Sequence, residues 1–347
     1  MNLTAAAWKA VPKLPAPLAR GLFALGADAA WLLHGKGVRQ LEANLARVRP
    51  GASRRALRRL SREGMRRYLR YYCEAFQLAG WPPAKVDQMV VFKGEAAVRA
   101  ALGDQGQAVL ALAHMGNWDL AGAWATRHLA PVVTVAERLK PEEVFQDFLA
   151  MRQAIGLTIV PLEDGKPAFR QLLRAVRSKE RWLAPLLADR DLGRGGVEVD
   201  FFGEKALMAA GPAALALATG RSLAPVAMYR RGPRYVLEFL PPVGQDAPEP
   251  PKVPQRGEDT SGGADALSLP AAGASGARPA PLGSQTGSKQ EAIQALTQAW
   301  ATALEGAIRR HPADWHMLQK VFVADLDPAR LAAVRGAGRA RAGEARR

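Results

Sequence analysis

A single cysteine, Cys73, stands in 347 residues. That scarcity excludes an internal disulfide framework and any zinc site built on several thiolates. Placed beside Tyr71, Tyr72 and Phe76, Cys73 reads as a core thiol rather than a nucleophile. Long apolar runs are missing too. No stretch reaches the roughly 18 consecutive apolar residues that cross a bilayer. The best candidate, Leu18 to Leu33, is interrupted by Arg20 and Asp28. Prolines break the apolar N-terminal stretch, so no signal peptide is read there. The chain has no Gly-x-Ser-x-Gly elbow, no Walker A loop and no Gly-x-Gly-x-x-Gly fingerprint. A serine hydrolase, a P-loop enzyme and a dinucleotide enzyme are therefore unsupported. His311 and His316 lack a third ligand at plausible spacing, so no metal site is expected.

Acidic residues are also scarce: 32 against 48 Lys and Arg, a net charge of +16. Such a balance calls for an anionic partner, either nucleic acid, an anionic membrane surface or a phosphorylated substrate. The excess is concentrated in residues 36–70, where Lys36 and eleven arginines face only Glu42 and Glu63. Apolar Leu57, Leu60, Tyr68, Leu69 and Tyr72 recur there at helical spacing, which turns the arginines outward. Helices are expected over about 37–49 and 53–80. Before them, residues 14–34 read as an amphipathic helix with Leu18, Leu22, Phe23, Leu25, Trp31, Leu32 and Leu33. That helix either packs on the core or lies in a membrane interface. The basic cluster beside it is either a solvated face or an attraction to anionic lipid.

After Trp81-Pro82-Pro83 the pattern changes. Short apolar runs read as strands near 90–93, 108–113, 132–136, 157–160, 182–187, 223–229 and 235–240. Helices are expected between them, near 95–102, 117–130, 141–155, 165–179 and 210–220. This alternation predicts an α/β fold, a central mostly parallel or mixed sheet flanked by helices, spanning residues 81–327. Residues 1–80 add N-terminal helices to the same fold. Residues 244–290 are rich in Pro, Gly, Ser and Ala without apolar periodicity, and read as a disordered insertion inside that domain. Residues 328–347 read as a flexible basic tail.

The chemistry centres on the run from Val109 to Asp119. Its apolar part is a buried strand that ends in His114. Gly116 turns the chain, and Asn117 caps a helix whose first turn holds Asp119. Across that turn a carboxylate can orient one imidazole nitrogen and leave the other to take a proton from a hydroxyl or amine. His114, Glu137 and Asp189 all fall at strand ends, where ligands of open α/β sheets sit.

The string His-Met-Gly-Asn-Trp-Asp resembles the His-x4-Asp motif of the glycerolipid and lipid A acyltransferase superfamily. It is most similar to the late acyltransferases of lipid A and their actinobacterial relatives, the phosphatidylinositol mannoside acyltransferases. Further stretches resemble the same family: Glu137-Arg138 after the next strand, Arg152 in FLAMRQAIGL, Asp189-Arg190-Asp191 leading to Phe201-Phe202-Gly203, and Asp314-Trp315-His316 in HPADWHMLQ. The likeness covers residues 15–325 outside the insertion. It implies a peripheral O-acyltransferase on the cytoplasmic face of the inner membrane. It implies His114 as general base and Asp119 as the group that fixes its tautomer. Neither metal nor cofactor is expected. The donor implied is a long-chain acyl-CoA and the acceptor a mannose hydroxyl of a phosphatidylinositol mannoside. The high-Ala/Arg, low-Lys composition agrees with that branch. A lipid A-type enzyme using acyl carrier protein is the alternative, and a basic nucleic-acid-binding protein is the alternative from another class.

The candidate substrate residues carry two readings each. Glu137 accepts from sugar hydroxyls or pairs with Arg138 or Lys140. Arg152 holds a phosphate or sugar oxygen, or forms a surface ion pair. Asp189 or Arg190 tethers the catalytic centre or the substrate, or is structural. Phe201-Phe202-Gly203 is a hairpin or the wall of an apolar tunnel. The smooth apolar stretch 206–218 is a helix for an acyl chain or an ordinary buried helix.

Overall fold

The computed structural model describes residues 7–8, 10–136, 141–161, 168–191, 195–244, 289–328 and 331–332. Three helices open the chain: α1 (Ala16–Leu33), α2 (Lys36–Val48) and α3 (Arg54–Leu78). Ser53 starts α3 by accepting from the Ala56 amide at 3.2 Å. The α/β part follows in the order α4 (Pro83–Met89), β1 (Val90–Lys93), α5 (Glu95–Leu102), β2 (Gln107–Leu112), α6 (Trp118–His128), β3 (Val133–Ala136), α7 (Glu142–Ala154), β4 (Thr158–Pro161), α8 (Ala168–Arg177) and β5 (Trp182–Leu187). Then come the hairpin β6 (Val197–Phe201) and β7 (Glu204–Met208), α9 (Gly211–Thr219), β8 (Leu223–Arg231), β9 (Arg234–Phe239) and α10 (Lys289–Arg310).

The main sheet has five strands in the order β1-β9-β8-β2-β5. Every pairing is parallel except the β8–β9 hairpin, so the sheet is mixed. β3 and β4 form a parallel pair beside it, bridged to β5 through Val132 and Leu183.

The sheet is buried on both faces, as parallel sheets are. Alternation along β2 shows how. Ala108, Leu110 and Leu112 join one core with α3, α4, α5, α6 and α7. Val109, Ala111 and Ala113 join the other, with α8, α9 and α10. Successive side chains of a strand point to opposite faces, so one apolar run supplies both layers.

Two local readings change. Residues 206–208 lie in strand β7, not in a helix, and the helix begins only at Gly211. Their apolar side chains suit either state. The turn decides: Phe202 and Gly203 both have positive φ (51° and 83°), the backbone of a two-residue hairpin. The second concerns α1. Phe23 packs edge-on against Phe76, and Trp31 donates to the Ser61 hydroxyl at 3.0 Å, so both face inward. Leu18, Leu22, Leu25, Leu32 and Leu33 stay exposed, Leu33 at 83%. Among the described residues no helix is long and apolar enough to cross a membrane. Residues 245–288 and most of the tail lie outside the described residues.

The basic cluster is partly neutralised. Arg62 and Arg66 both clamp Asp28 of α1. Arg58 binds Glu42 at 2.7 Å, and its guanidinium lies 3.9 Å over the Trp31 ring. Arg54, Arg55 and Arg59 remain exposed.

Candidate active site

Parallel register builds the site. Leu112 of β2 stands opposite Leu187 of β5. Two residues further on, His114 and Asp189 face each other at the carboxyl ends of these strands. His114 Nδ1 lies 2.5 Å from Asp189 Oδ1, and the His114 backbone N–H donates to Oδ2 at 3.0 Å. Trp315 Nε1–H donates to the same Oδ2 at 2.8 Å. Burial alone would raise the pKa of Asp189, which is 1% exposed. The imidazole and the N–H groups aimed at the carboxylate outweigh burial and hold it below the usual carboxylate range. Among the described residues His114 Nε2 has no hydrogen-bond partner, and the ring lines a cavity of about 300 Å³.

The partner of His114 is therefore Asp189 and not Asp119. Asp119 is buried in the first turn of α6, where Tyr71 O–H donates to Oδ2 at 2.7 Å and Arg152 Nε–H to Oδ1 at 2.8 Å. Both oxygens of this buried carboxylate are thus engaged. Arg152 is an internal ion-pair partner here, with Nε and Nη2 donating to Asp119 at 2.8 and 3.4 Å, and its side chain also lines the cavity. Burial opposes its charge, but Asp119 raises its pKa above the ordinary guanidinium value.

The turn between strand and helix has no room for a side chain at Gly116. A Cβ there would lie 2.3 Å from the Met228 carbonyl oxygen, and φ is +65°. Asn117 Oδ1 accepts from the Leu120 amide at 3.0 Å and caps α6. Its Nδ2 donates to Glu74 of α3, which also accepts from Tyr235 O–H. α3 thus holds the turn after His114 through Tyr71 and Glu74.

The segment after α10 closes the site from below. Met115 bridges Trp315, and the His316 amide donates to the His114 carbonyl at 2.7 Å. His316 Nε2 lies 3.1 Å from the Gly116 carbonyl oxygen, so that nitrogen is the donor and Nδ1 carries the lone pair. Burial pushes the His316 pKa down to about 3 and keeps the ring neutral. The Asp314 carboxylate pairs with Arg67 of α3. Asp314 and Trp315 are thus engaged within the protein, whereas His316 also lines the cavity.

Arg190 lines the cavity too, and its Nε is buried without a hydrogen-bond partner among the described residues. Glu137 lies outside the described residues. The sequence reading missed Trp118, and it took Tyr68 and Tyr72 only as members of an apolar helix face. Tyr68, Tyr71 and Tyr72 line the cavity together. Their i, i+3, i+4 spacing on α3 was the available signal.

Below this polar mouth the cavity is apolar. Leu110, Leu112, Leu183, Leu187 and Val226 form its sheet wall, and Ala121, Gly122 and Ala125 of α6 face them. Small side chains on the helix leave the space open. The cavity wall is thus built mainly by β2, β5, β8 and α6, with residues of β3, β9 and α7 completing it. Phe201 and Phe202 pack instead in the core on the other face, and α9 does so with Ala213, Leu215 and Ala216. A histidine base at the mouth of an apolar cavity suits attack on the carbonyl of a long-chain substrate.

Residues 1–252 match the family described as bacterial lipid A biosynthesis acyltransferase. Similar curated proteins include the phosphatidylinositol mannoside acyltransferase of Mycolicibacterium smegmatis, 35% identical over 94% of this chain and 93% of that protein. The protein of the same name from Mycobacterium tuberculosis (strain CDC 1551 / Oshkosh) is 36% identical over 95% of this chain and 91% of its own. With matches spanning nearly the whole chain, the protein belongs to the lipid A biosynthesis acyltransferase family and is an O-acyltransferase.

Proposed function

We propose that this enzyme moves a long-chain fatty acyl group from acyl-CoA to a mannose hydroxyl of a phosphatidylinositol mannoside. The names of its relatives support the acceptor. The observation that carries the mechanism is His114 Nδ1 held by Asp189 beside an apolar cavity. Asp189 selects the tautomer with its proton on Nδ1, which leaves the Nε2 lone pair for the acceptor O–H. As the proton passes to Nε2, the hydroxyl oxygen attacks the thioester carbon and the carbonyl electron pair moves onto oxygen. Collapse expels the thiolate, which takes from the imidazolium the proton that came from the acceptor hydroxyl. Neither an acyl-enzyme nor a metal takes part. The buried Asp189 carboxylate stabilises the imidazolium. A positioned base of this kind contributes about 10²–10⁴-fold. Holding the chain and the sugar at attack distance supplies further rate.

The enzyme works as a peripheral protein on the cytoplasmic face of the inner membrane. Leu18, Leu22, Leu25 and Leu32 follow one stripe of α1, the pattern of an interfacial helix. Exposed Arg54, Arg55 and Arg59 lie within about a turn of Arg58, which stacks on Trp31 of α1. Each basic residue near an anionic leaflet contributes about 1 kcal/mol. No nucleic-acid partner is needed to account for the charge.

The family match also supports a second reading, transfer to a lipid A precursor, with acyl carrier protein or CoA as the donor we would assign to it. A radiolabelled transfer assay tests both. It offers palmitoyl-CoA or palmitoyl-acyl carrier protein against phosphatidylinositol mannosides and a lipid A precursor. Transfer from the CoA ester to the mannoside supports the reading; transfer only from the carrier protein, or only to the lipid A precursor, overturns it.

A further inference from the structure

The mechanism above leaves the thioester oxygen, which becomes an oxyanion, without a donor. Two side chains that line the cavity carry N–H groups with no hydrogen-bond partner among the described residues. Trp118 Nε1 and Arg190 Nε are both buried, and neither has a hydrogen-bond partner among the described residues. Both side chains line the cavity that His114 lines. The Trp118 ring stands edge-to-face with the His114 ring, centroids 5.7 Å apart. It rests on Tyr71 at 4.1 Å, so its orientation is set by packing. Arg190 directly follows Asp189, the residue that holds His114 Nδ1. Trp8, Trp81 and Trp300 also have unpartnered indole nitrogens, but none of them lines this cavity.

A buried donor left unpaired is costly. Such groups persist where a ligand or a developing charge completes them. We propose that Trp118 Nε1–H and Arg190 Nε–H form the oxyanion site of the transfer. They donate to the thioester oxygen as the acceptor hydroxyl, deprotonated by His114, adds to the carbonyl carbon. The carbon–oxygen double bond re-forms as the carbon–sulfur bond breaks, and the leaving thiolate takes the proton from His114. This inference rests on the thioester reading of the donor.

Oxyanion donors act on the transition state and little on the ground state, so their loss lowers kcat with KM unchanged. A group that binds a phosphate of CoA or of the glycolipid behaves differently, because its loss raises KM. The experiment compares wild type with Trp118→Phe, Arg190→Met and Trp81→Phe, using palmitoyl-CoA and a phosphatidylinositol mannoside acceptor. Trp118→Phe keeps an aromatic ring against Tyr71 and removes only the N–H. Binding of an S-hexadecyl-CoA thioether, which lacks the thioester carbonyl, reports on an intact pocket by calorimetry. The expected result is a loss in kcat of about 10²–10³-fold for each cavity variant. KM and thioether binding stay within about twofold, and Trp81→Phe matches wild type. Either cavity variant keeping its kcat while binding the thioether normally overturns the inference. A rise in KM alone assigns the pair to phosphate binding and also overturns it. A wild-type protein that uses no thioester donor overturns the donor reading and this inference with it. If a variant loses thioether binding, Arg190→Lys and Arg190→Gln decide the matter. Their N–H groups should recover part of kcat, and failure of both to do so counts against the oxyanion site.

Discussion

His114 and Asp189 stand two residues beyond Leu112 and Leu187, register partners on adjacent parallel strands. The alignment places Asp189 Oδ1 2.5 Å from the imidazole Nδ1 across a sequence separation of 75 residues. Trp315, from the far end of the chain, completes the carboxylate's hydrogen bonds. Three distant segments thus fix one imidazole, and Asp119, nearer in sequence, serves a different group.

Asp119 belongs to the scaffold on this account. Asp119→Asn leaves the Arg152 guanidinium buried beside a neutral amide. Breaking a buried ion pair from one side typically costs about 3–5 kcal/mol. The melting temperature should fall clearly, and combining Arg152→Met with Asp119→Asn should restore part of it. Thermal unfolding of the single and double variants measures the coupling. Unchanged melting in the Asp119→Asn protein contradicts the scaffold role.

His316 gives a pH signature with a definite sign. Its folded-state pKa, about 3, lies below the ordinary value of 6.5, so the native state favours the neutral ring. The stabilisation is fully present above pH 6.5 and is lost as pH falls toward 3, by up to about 1.4 kcal/mol per pH unit. His316→Gln, which keeps a donor for the Gly116 carbonyl, should remove this dependence. Denaturant unfolding of both proteins at pH 7, 6 and 5 reads the difference. The variant should gain on wild type at each lower pH, and parallel curves would dismiss the assignment.

Membrane attachment should follow the exposed leucines of α1 and not the two aromatic residues that face inward. Replacing Leu22, Leu25 and Leu32 by Ser should weaken binding to anionic vesicles at least about tenfold, as burial of even one leucine is worth about 1.5–3 kcal/mol. Reversing Arg54, Arg55 and Arg59 to Glu should weaken it in a salt-sensitive way, since a Debye length is about 8 Å at physiological ionic strength. Co-sedimentation at two salt concentrations separates the two contributions. Indifference to the leucine changes would remove α1 from the interface.

The insertion should be dispensable. Val243 bridges Leu223 just before it, and α10 resumes at Lys289. Deleting residues 246–288 and joining the ends with a short Gly/Ser linker should keep most of the activity and the melting temperature. A product that does not fold contradicts the reading of this segment as a loop expansion.

Much of this was legible before the fold. Strand runs such as 90–93 and 182–187 carry their own β-branched, aromatic or apolar signal, and the His114 run announces a strand end and a capped helix. The partner of His114 was half legible: Asp189 reads as a tether of the catalytic centre or of the substrate at a neighbouring strand end, while Asp119 reads as the orienting carboxylate. Sequence distance favours Asp119, five residues away, and only the register of β2 with β5 brings Asp189 closer. Parallel pairing is non-local, so nothing near His114 encodes it. The Phe201-Phe202-Gly203 hairpin was one of two readings, and its second strand was obscured for a local reason. Its turn uses Phe202 at positive φ, a conformation uncommon outside Gly and Asn, and Ala206, Leu207 and Met208 have side chains that suit a helix equally well. The inward turn of Phe23 and Trp31 depends on packing with α3, which helical periodicity alone does not assign.

The most direct test of the account is the rate of palmitoyl transfer by the Asp189→Asn protein, set beside its melting temperature. The amide cannot support the imidazolium, so kcat should fall by about 10²-fold or more in protein that is still folded at the assay temperature, as it should in His114→Ala. Transfer by Asp189→Asn within about twofold of wild type would contradict the account, since Asp189 would then not be the group that makes His114 a base.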